Sequence, residues 1–577
     1  MAGQDSGTVR IAGVRLHGRR DAGTRGVIAW FAVSRARGLV RMGAARRSLA
    51  GTATRPGRPG RRHQGSLRLP GGLLGTAMPK ICLCLTGTTI AQDLAALERF
   101  RDKVDMVELR ADYLDPGELF HIRSFPEKAG IPAILTVRRR SDGGRFDLGE
   151  GVRLVIFGRG LAFADSDQRK NFAYVDIEWD FHIPSIQEAA RTFGTRIIRS
   201  KHYMDGMPED IDKVWRDLSA RPYEIPKLAV NTKGLNDVNS VFRLFEGGTA
   251  DKDRVVVSMG EYGFCTRVLA GRLGSMLVYA SASGDGFEPA SPGQLEPASL
   301  IDTYRVRDYS PEWNLFGILG GPAVIHSQSP TIHNSGFAEL GIKSLYLPFP
   351  ADDVDPFMAL AKRLDLQGFS ITVPFKEKIL QRLSRTSAEV DAIGACNTAV
   401  RDGSEWIGYN TDSYGFSADV RRFLGVESLD GVMTTIVGAG GAARAVAYAL
   451  KSLGAKACVI NRSMSKAKRL AETYGFEWSG MTERAADLME RYNDLIVQTT
   501  SVGLEGGEDG DPIDWYEFNG REALYETIYT PPETQVMRRA RAAGCRVSNG
   551  LGMLQAQAEA QFSLFTGKDY PSSIRRV

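Results

Sequence analysis

The sequence predicts an α/β protein in which a (β/α)8 barrel precedes a two-lobed α/β unit. Two observations lead to this prediction. Short apolar strands alternate with helical stretches through the first half, and a strand–turn–helix–strand segment follows in the second. At 577 residues the chain is long enough to hold more than one domain.

Residues 1–77 form a basic leader with fifteen Arg, two Asp and neither Lys nor Glu, a formal charge of +13. The whole chain carries +5, so the remainder carries −8, and nucleic-acid binding has no support outside the leader. The leader is a basic arm, a transit peptide, or upstream sequence attached by a wrong start codon. We expect it to be disordered or a mis-annotated start, because Met78 directly precedes the first predicted strand.

The composition is that of an ordinary globular protein. No apolar run approaches the ~20 residues that a membrane helix needs. The six cysteines show neither a disulfide framework nor a zinc-binding spacing, which indicates a reducing compartment and no metal site. We therefore expect a cytoplasmic protein, or a plastid protein if the leader is a transit peptide. The sequence leaves homo-oligomer formation open.

Eight strand candidates recur in residues 78–297, the predicted barrel domain. They are Ile81–Leu85, Met106–Arg110, Ala133–Arg138, Tyr174–Glu178, Arg196–Ser200, Lys227–Val230, Val255–Met259 and Met276–Ala280. Barrels of this kind place their active sites at the C-terminal ends of the strands. Polar residues cluster at or just beyond those ends: Glu108, Arg110, Arg138, His202, Ser258 and Gln294. Together they predict an anion-lined pocket with a single imidazole.

Lys227 stands out because it lies within the otherwise apolar segment Ile225–Val230. If the side chain faces outward, it is a solvated lysine on the barrel exterior. If it faces inward, desolvation and neighbouring Arg charges would lower its pKa and make the amine nucleophilic. An amine beside an imidazole, among arginines, is an arrangement for Schiff-base chemistry on a carbonyl acid.

Several motifs resemble type I 3-dehydroquinate dehydratase in order and spacing: Glu108-Leu109-Arg110, Ser200-Lys201-His202, Pro226-Lys227-Leu228-Ala229-Val230 and Ser291-Pro292-Gly293-Gln294. The resemblance implies that Lys227 forms an imine with the ketone of 3-dehydroquinate. It implies that His202 takes the adjacent proton and returns it to the departing hydroxyl in a syn elimination. It further implies a set of substrate-binding residues: Glu108, Arg110, Arg138, Arg267, Ser291 and Gln294. Asp142 departs from the family, which more often has Glu there.

Residues 298–312 carry little periodicity and are predicted to be a linker between two self-contained cores. The substrate domain, residues 313–416, then begins. Its first strand leads to Ser327 and Ser329, which flank a turn at a helix start, where hydroxyls and free N–H groups can hold a carboxylate or polyol. We expect His326 and His333 to fix this serine turn.

Three further polar residues of this domain lie at strand or loop ends. Lys376 follows the strand Gly368–Val373, Asn397 lies in Gly394–Thr398, and Asp412 ends Gly408–Asp412. One lysine, one aspartate and one asparagine can supply a proton and orient a hydroxylated ring.

The segment Thr435–Ser463 predicts a Rossmann domain over residues 417–548. Gly438-Ala439-Gly440-Gly441-Ala442-Ala443 matches the G-x-G-x-x-G/A pattern between a strand and a helix. Gly438 allows the tight turn, and Gly440 lets a pyrophosphate approach the N–H groups of the helix start. Asn461-Arg462-Ser463, with Lys466 beyond, replaces the acidic residue of NAD sites, so these residues predict NADP. The alternative is a Gly-rich turn that only connects strand and helix.

The polar residues of the substrate domain, together with the segment Thr435–Ser463, resemble shikimate dehydrogenase over roughly Asn314–Pro571. The resemblance implies that Lys376 and Asp412 form the catalytic dyad. It implies that shikimate is held by Ser327, Ser329, Thr372, Asn397, Tyr529 and Gln557. It places Ile528, Tyr529 and Gly550 beside the nicotinamide. The last helix, within residues 549–577, is expected to return to the substrate domain and bring Gln557 to the substrate.

The leading hypothesis is therefore a bifunctional enzyme of aromatic biosynthesis. It would dehydrate 3-dehydroquinate and then reduce 3-dehydroshikimate to shikimate with NADPH. A second hypothesis is a catabolic quinate or shikimate oxidation module, which the NADP-type residues disfavour. A third is a non-catalytic sensor on the same folds, which would be expected to lose its nucleophiles, whereas Lys227, His202, Lys376 and Asp412 are all present.

Overall fold

A computed structural model of the chain describes residues 78–162, 164–246, 252–282, 284, 286–482 and 485–574, together with the backbone of two paired two-residue strands at Arg10–Ile11 and Val14–Arg15. The expectations about the leader otherwise fall outside the described residues. The described residues of 78–424 and 428–574 belong to one compact unit.

The first half is a barrel of eight parallel strands. In chain order they are β1 Lys80–Leu85, β2 Met106–Arg110, β3 Ala133–Thr136, β4 Tyr174–Glu178, β5 Arg196–Tyr203, β6 Glu224–Asn231, β7 Val255–Met259 and β8 Leu277–Ser281. Each strand from β1 to β6 pairs with the next, and β8 pairs with β1. Strands β7 and β8 form no ladder, and an isolated bridge from Arg254 to Ser275 joins the two sides. The predicted (β/α)8 barrel is confirmed.

Four of the predicted strand ends are wrong. Strands β6 and β8 each end one residue later than predicted, at Asn231 and Ser281, and β6 also begins three residues earlier, at Glu224. The other two ends differ by more. Strand β3 ends at Thr136, two residues before Arg138, and β5 continues through His202 to Tyr203. Pairing with the long strand β6 extends β5, because the register runs from Ile197 opposite Glu224 to Tyr203 opposite Val230. The imidazole of His202 is therefore placed by a strand and not by a loop.

Helices separate the barrel strands: α1 Ile90–Phe100, α2 Phe125–Ala129, α3 Glu150–Leu161, α4 Pro184–Thr192, α5 Ile211–Ser219, α6 Leu235–Leu244 and α7 Phe264–Val268. The N-terminus of helix α1 is determined by its local sequence. Thr89 accepts from the backbone of Gln92, whose side chain bonds back in a capping box. Apolar faces such as Ile90 and Leu97 then pack on the strands. Short 3-10 helices occur at Glu118–Phe120, Ile122–Ser124, Arg140–Asp142, Gln168–Lys170, Ala270–Leu273, Pro322–His326 and Lys378–Arg382.

The segment after the barrel packs tightly against both neighbouring domains. Apart from a π-helical turn at Ser299–Thr303 it has no regular structure, yet Leu300, Tyr304, Val306 and Tyr309 are buried. These residues belong to one hydrophobic cluster that includes both barrel and second-half residues. The expectation of two self-contained cores is therefore wrong. Irregular backbone held by tertiary packing has no periodicity from which burial can be predicted.

The substrate lobe contains a six-stranded mixed sheet in the order β10-β9-β11-β13-β14-β12. Its elements are β9 Asn314–Gly320, α8 Ser329–Glu339, β10 Ser344–Pro350, α9 Val354–Leu364, β11 Leu366–Ile371, β12 Arg385–Thr386, α10 Ala388–Ile393, β13 Thr398–Asp402, β14 Glu405–Tyr409 and α11 Asp412–Leu424. Strand β9 is parallel to β10 and β11, whereas β13 is antiparallel to its neighbours β11 and β14.

The second lobe has six parallel strands in the order β17-β16-β15-β18-β19-β20, the 3-2-1-4-5-6 order of a dinucleotide-binding domain. Its elements are β15 Met433–Val437, α12 Gly441–Ser452, β16 Lys456–Asn461, α13 Met464–Tyr474, β17 Glu477–Gly480, α14 Ala486–Arg491, β18 Leu495–Gln498, β19 Ala523–Glu526, α15 Gln535–Ala542 and β20 Arg546–Ser548. The strand order reverses between β15 and β18, where such folds bind their ligands. The predicted Rossmann fold is confirmed.

The last helix, α16 Leu551–Thr566, packs against α11 and against α8 of the substrate lobe. Its Gln561 accepts from Ser370 Oγ at 2.8 Å, and Gln557 Oε1 accepts from Asn397 Nδ2 at 3.2 Å. The final helix therefore packs against the substrate lobe, which precedes the dinucleotide lobe in the chain.

His333 joins α8 to this final helix through ring packing. The imidazole is buried, stacks on Tyr346 with centroids 4.3 Å apart and lies 6.3 Å from Phe562. The expectation that His333 fixes the serine turn is wrong, because its ring faces this aromatic cluster. Burial lowers the pKa of His333 to about 3.

We predict a pH-dependent stability from this buried neutral imidazole. An unfolded histidine gains a proton below about pH 6.5, but folded His333 does not until about pH 3. The free energy of unfolding should therefore be highest above pH 6.5. Burial of His333 should lower it by about 2 kcal/mol between pH 7 and pH 5. His333→Phe, which keeps a ring in the cluster, should flatten this part of the profile in urea titrations. An unchanged pH profile in the variant would contradict the prediction.

Candidate active sites

A cavity with about 510 Å³ of empty space opens at the C-terminal ends of the barrel strands. The structure brings together there all eight residues predicted for the first reaction: Glu108, Arg110, Arg138, His202, Lys227, Arg267, Ser291 and Gln294. Ser258, also noted at a strand end, is buried and does not line the cavity. Asp142 and Tyr279 are further lining residues.

The Lys227 side chain faces inward and is almost completely buried. Its Nζ donates to Asp176 Oδ2 at 2.7 Å and to Tyr279 Oη at 3.0 Å, and lies 4.0 Å from Glu108 Oε1. The sequence predicted arginine neighbours, but the nearest charge is the Asp176 carboxylate. This ion pair fixes the direction of the amine, which lines the cavity.

Asp176 and Glu178 are buried acids that contact the lining residues Lys227 and Arg138, and they were not predicted from the sequence. Arg138 bridges them, with Nη2 2.7 Å from Asp176 Oδ1 and Nη1 2.8 Å from Glu178 Oε1. Ser200 Oγ also donates to Asp176 at 2.5 Å. Burial by itself would raise the pKa of Asp176, but Arg138 and Lys227 hold it well below its usual range. Asp176 therefore keeps its negative charge beside the amine.

The His202 side chain is 9% exposed, with Nδ1 3.9 Å from Asp142 Oδ1. Burial, together with the Arg138 and Lys227 charges, lowers the pKa of His202 well below its ordinary value. The imidazole is therefore neutral near pH 7 and can accept a proton, as a general base must.

Two loops close the cavity. Arg267 Nη2 donates to the carbonyl of Pro292 at 2.7 Å and reaches Ser291 Oγ at 3.4 Å. Burial lowers the pKa of Arg267 to about 10, so it remains a cation at neutral pH. Gln294 Nε2 lies 3.3 Å from the Cys84 thiol, which in turn donates to Glu108. The Arg267 cation and the hydrogen-bond donors of Ser291 and Gln294 therefore line the cavity.

The second candidate site lies in the substrate lobe. Lys376 Nζ donates to Asp412 Oδ2 at 2.6 Å, and Asn397 Nδ2 donates to Asp412 Oδ1 at 2.8 Å. Asn397 also bonds Thr411 and Gln557, and Asn410 receives the N–H groups of Asp412 and Ser413. The carboxylate is buried, whereas 14% of the Lys376 side chain is exposed. The dyad is therefore preformed, with the amine on the accessible side.

The serine turn supplies hydroxyls to the same lobe. Ser327 Oγ accepts from the N–H of Ser329, and the two hydroxyls are 3.2 Å apart. Burial raises the pKa of Tyr529, whose hydroxyl bonds Ser327, so the phenol remains protonated. The N–H of Thr372 donates to the Leu319 carbonyl at the end of β9, which places Thr372 at the strand ends.

The glycine turn after β15 leaves room for a pyrophosphate. Gly438 has φ +117°, and a Cβ there would be 2.4 Å from Thr499 Oγ1, so only glycine fits. A Cβ at Gly440, the N-cap of α12, would meet nothing within 4 Å, so the helix start is open. Ala439 and Ala442 lie in the same turn. A Cβ at Gly441 would be 3.3 Å from Lys376 Cδ, so this turn adjoins the dyad.

Arg462, the cation predicted to receive a 2′-phosphate, has an acidic partner that the sequence did not reveal. Its Nη1 lies 3.3 Å from Glu508, and both side chains are more than half exposed. Asn461 Nδ2 donates to the Ser463 carbonyl, and the side chains of Ser463 and Ser465 are 3.1 Å apart. Lys466 is exposed on α13. The cation is therefore accessible, but Glu508 competes for it.

Ile528, one of the residues predicted to flank the nicotinamide, lies just after strand β19 and contacts Gly550. The N–H of Gly550 donates to the Ile528 carbonyl at 3.1 Å, and a Cβ at Gly550 would be 2.1 Å from the Thr527 carbonyl oxygen. The N–H of Ile528 donates to the buried Glu526 carboxyl at 3.0 Å. Burial raises the pKa of Glu526 to about 7. Glu526 was missed, although an acid ending an apolar strand was a visible signal.

Within the described part of the chain, no group of three or more His, Cys, Asp or Glu side chains could hold a metal ion. In the same residues no helix combines the length and the apolar character needed to cross a bilayer.

Comparisons with known proteins follow this division of the chain. Residues 81–311 match the family model "Type I 3-dehydroquinase". Residues 318–399 match "Shikimate dehydrogenase substrate binding domain", and residues 422–503 match "Shikimate / quinate 5-dehydrogenase".

Two curated relatives and one solved structure illustrate the similarity. The bifunctional 3-dehydroquinate dehydratase/shikimate dehydrogenase, chloroplastic, of Arabidopsis thaliana is 28% identical over 492 residues, 82% of this chain and 79% of that one. The shikimate dehydrogenase (NADP(+)) of Geobacter sulfurreducens is 36% identical over 275 residues, 46% of this chain and 94% of that one. The dehydroquinate dehydratase and shikimate dehydrogenase from S. pombe AroM is 23% identical with a TM-score of 0.37, covering 86% of this chain and 97% of that one.

The barrel cavity and the Lys376–Asp412 site, with these matches, define an enzyme that joins a lyase to an oxidoreductase. The chain belongs to the shikimate dehydrogenase family, and it carries a type I 3-dehydroquinase domain in front of that region.

Proposed function

We propose that the chain catalyses two consecutive steps: dehydration of 3-dehydroquinate to 3-dehydroshikimate in the barrel, and reduction of that product to shikimate with NADPH in the second half. The observation that carries the proposal is the inward Lys227 amine, which shares one cavity with a neutral imidazole and three arginines. The product of the first site is the substrate of the second. The proposed domains are those of the sequence analysis: a barrel at 78–297, a substrate domain at 313–416, a dinucleotide domain at 417–548 and a returning helix in 549–577.

The proposed dehydration uses Lys227 as the nucleophile. Its amine adds to the substrate ketone, and water leaves to give an imine. Asp176, 2.7 Å from Nζ and held negative, would stabilise the positive charge of the protonated imine. Glu108, Arg110, Arg138 and Arg267, with Ser291 and Gln294, would orient the carboxylate and hydroxyls of the substrate.

His202 would move the proton. The imine acidifies the neighbouring C–H bond, and the neutral imidazole accepts that proton. The hydroxyl on the next carbon then leaves with the same proton as water, and hydrolysis of the product imine frees Lys227. One molecule of water is lost overall, as a dehydration requires.

The proposed reduction takes place between the two lobes of the second half. NADPH supplies a hydride when bound, and the open glycine turn fits its pyrophosphate. Lys376 would donate a proton to the carbonyl oxygen, and Asp412 would hold the amine in place. Ser327, Ser329, Thr372, Asn397, Tyr529 and Gln557 would orient the ring, while Ile528 and Gly550 would flank the nicotinamide.

One experiment tests both halves. Purified protein is given 3-dehydroquinate with and without NADPH, and the products are identified by chromatography. Shikimate should form only with NADPH, and 3-dehydroshikimate should accumulate without it. No consumption of 3-dehydroquinate would refute the first step, and accumulation of 3-dehydroshikimate despite NADPH would refute the second.

We further propose that all ligands are small molecules and that the chain acts in a reducing compartment, because all six cysteines are free. The cytoplasm is the proposed location, and a plastid is the alternative. Fractionation of the source cells, with shikimate dehydrogenase activity as the readout, distinguishes the two.

Cofactor choice yields a prediction at Arg462. A charge-assisted contact to the 2′-phosphate is worth roughly 1.5–3 kcal/mol, so Arg462→Ala should raise the KM for NADPH about ten- to a hundredfold. The KM for NADH should change little, because NADH has no such phosphate. Glu508→Gln should lower the KM for NADPH, since the variant removes the competing carboxylate. Initial rates with 3-dehydroshikimate give these constants.

The control for this prediction is Lys468→Ala, which changes an exposed lysine on the following helix α13 that pairs with Glu472. Equal losses for NADPH and NADH in Arg462→Ala would mean that this turn only connects strand and helix.

A further inference from the structure

The barrel and the substrate lobe meet along a surface that we call the seam, formed by α6 and the loop Gly260–Gly263 on one side and by α9 and Asp352 on the other. Helix α6 packs on α9, where Asn239 Nδ2 donates to the Pro356 carbonyl at 3.0 Å. Arg363 Nε donates to Asn239 Oδ1 at 3.2 Å. The seam is thus a specific interface within the chain.

One seam contact involves a loop that also reaches the barrel cavity. Tyr262 Oη donates to Asp352 Oδ1 at 2.5 Å. Tyr262 lies between Met259 and Arg267, both of which line the cavity. Burial, and then the Asp352 carboxylate, raise the pKa of Tyr262, so its hydroxyl remains a donor at neutral pH.

The Tyr262 loop in turn supports the loop that carries Ser291 and Gln294. The N–H of Gly260 donates to the Pro292 carbonyl at 3.3 Å, the same carbonyl that accepts from Arg267. Gly293 has φ +77°, and a Cβ there would be 2.9 Å from the Gly260 carbonyl oxygen. The two loops are in close backbone contact, so a shift of one displaces the other.

Asp352 is held from the dehydrogenase side. It lies two residues after the end of β10, and the N–H of the intervening Ala351 donates to the Gly320 carbonyl at 2.8 Å. The next residue, Asp353, caps α9 through the Val354 N–H. The backbone at Asp352 is therefore held between a strand end and a helix start, so its carboxylate can fix the position of the Tyr262 loop of the barrel.

We propose that Tyr262 is a positioning residue for the dehydratase reaction, because its hydrogen bond to Asp352 holds the loop that leads into α7, which carries Arg267, and through it the loop that carries Ser291 and Gln294. The dehydrogenase lobe is then part of the scaffold of the other active site. This inference rests on the proposed dehydration. It predicts an effect on substrate binding, because Lys227 and His202 lie on strands that the loop does not hold.

The test is a double-mutant cycle in the full chain. Tyr262→Phe and Asp352→Ala should each raise the KM for 3-dehydroquinate about three- to tenfold, with kcat within about twofold. The double variant should be no worse than either single one, because both remove the same bond. The kinetic constants for 3-dehydroshikimate and NADPH should stay as in the unmodified chain.

Asn239→Ala is the matched control, since it removes a seam contact that does not touch the cavity loops. An unchanged KM in Tyr262→Phe, additive effects in the double variant, or an equal rise in Asn239→Ala would overturn the proposal. Unmodified protein runs in the same assay. If it does not dehydrate 3-dehydroquinate, the proposed function fails instead, which is a separate result.

Discussion

Lys227→Ala is expected to abolish dehydration of 3-dehydroquinate, with a loss in kcat of about a thousandfold or more. Lys227 is the only lysine that lines the cavity among the residues that the structure describes, so no second primary amine there can form the imine. Borohydride added with 3-dehydroquinate should reduce the imine and leave a stable adduct on Lys227, which mass spectrometry of a digest can locate.

Lys201→Ala is the matched control for this experiment. Lys201 is on the adjacent strand β5, but its amine lies over the rings of Trp179 and Tyr203, away from the cavity lining. This variant should keep both the adduct and the activity. An adduct that forms equally in Lys227→Ala would show that the Schiff-base assignment is wrong. Reduction of added 3-dehydroshikimate should remain normal in both variants, which also verifies folding.

Lys376→Ala is expected to lower kcat for reduction of 3-dehydroshikimate by about a hundred- to ten-thousandfold, the range for loss of a general acid. The amine is 2.6 Å from Asp412, and the Lys376 stem lies beside Gly441 at the glycine turn, so this cation stands where the substrate lobe meets the cofactor turn. Asp412→Asn should also lower kcat, because Asn397 would face an amide and the amine would lose its charged partner.

Lys378→Ala controls for the loss of a lysine in the same segment. Its side chain is exposed, and its amine lies 5.7 Å from the Phe375 ring. Stopped-flow measurement of NADPH oxidation, with dehydration measured in the same preparation, gives the comparison. A Lys376→Ala variant that reduces 3-dehydroshikimate at the normal rate would remove the dyad from the mechanism.

Much of the fold could be predicted from the sequence because buried parallel strands are short apolar runs with clear ends. Strands Met106–Arg110, Tyr174–Glu178 and Val255–Met259 have the predicted bounds. The glycine turn was also predictable, since its strand and helix neighbours are local in the chain. For Lys227 the strand alone favoured the outward alternative, the commoner one for a lone strand lysine, whereas the resemblance implied the inward one that the structure shows.

The site residues that were not predicted from the sequence were missed for physical reasons. Asp176 and Glu178 are two apart on β4, so they share one face, and that spacing was the available signal. Glu178 ends the predicted strand, but the role of Asp176 depends on Lys227, 51 residues away, which no local pattern indicates. The pairing of Arg462 with Glu508, 46 residues apart, depends on a loop whose path no local pattern predicts. The burial of Tyr304 and Tyr309 likewise depends on tertiary packing.

We expect the barrel and the substrate lobe to unfold together, because one continuous cluster runs through Leu300, Val306 and Tyr309. Separating the barrel from the substrate lobe would expose apolar surface on both, at about 25 cal/mol for each Å². The dinucleotide lobe has a cluster of its own around Ile496 and Leu524. Two family matches meet between residues 311 and 318, but the shared hydrophobic cluster continues through that boundary as far as Ala399, the last residue of the second match.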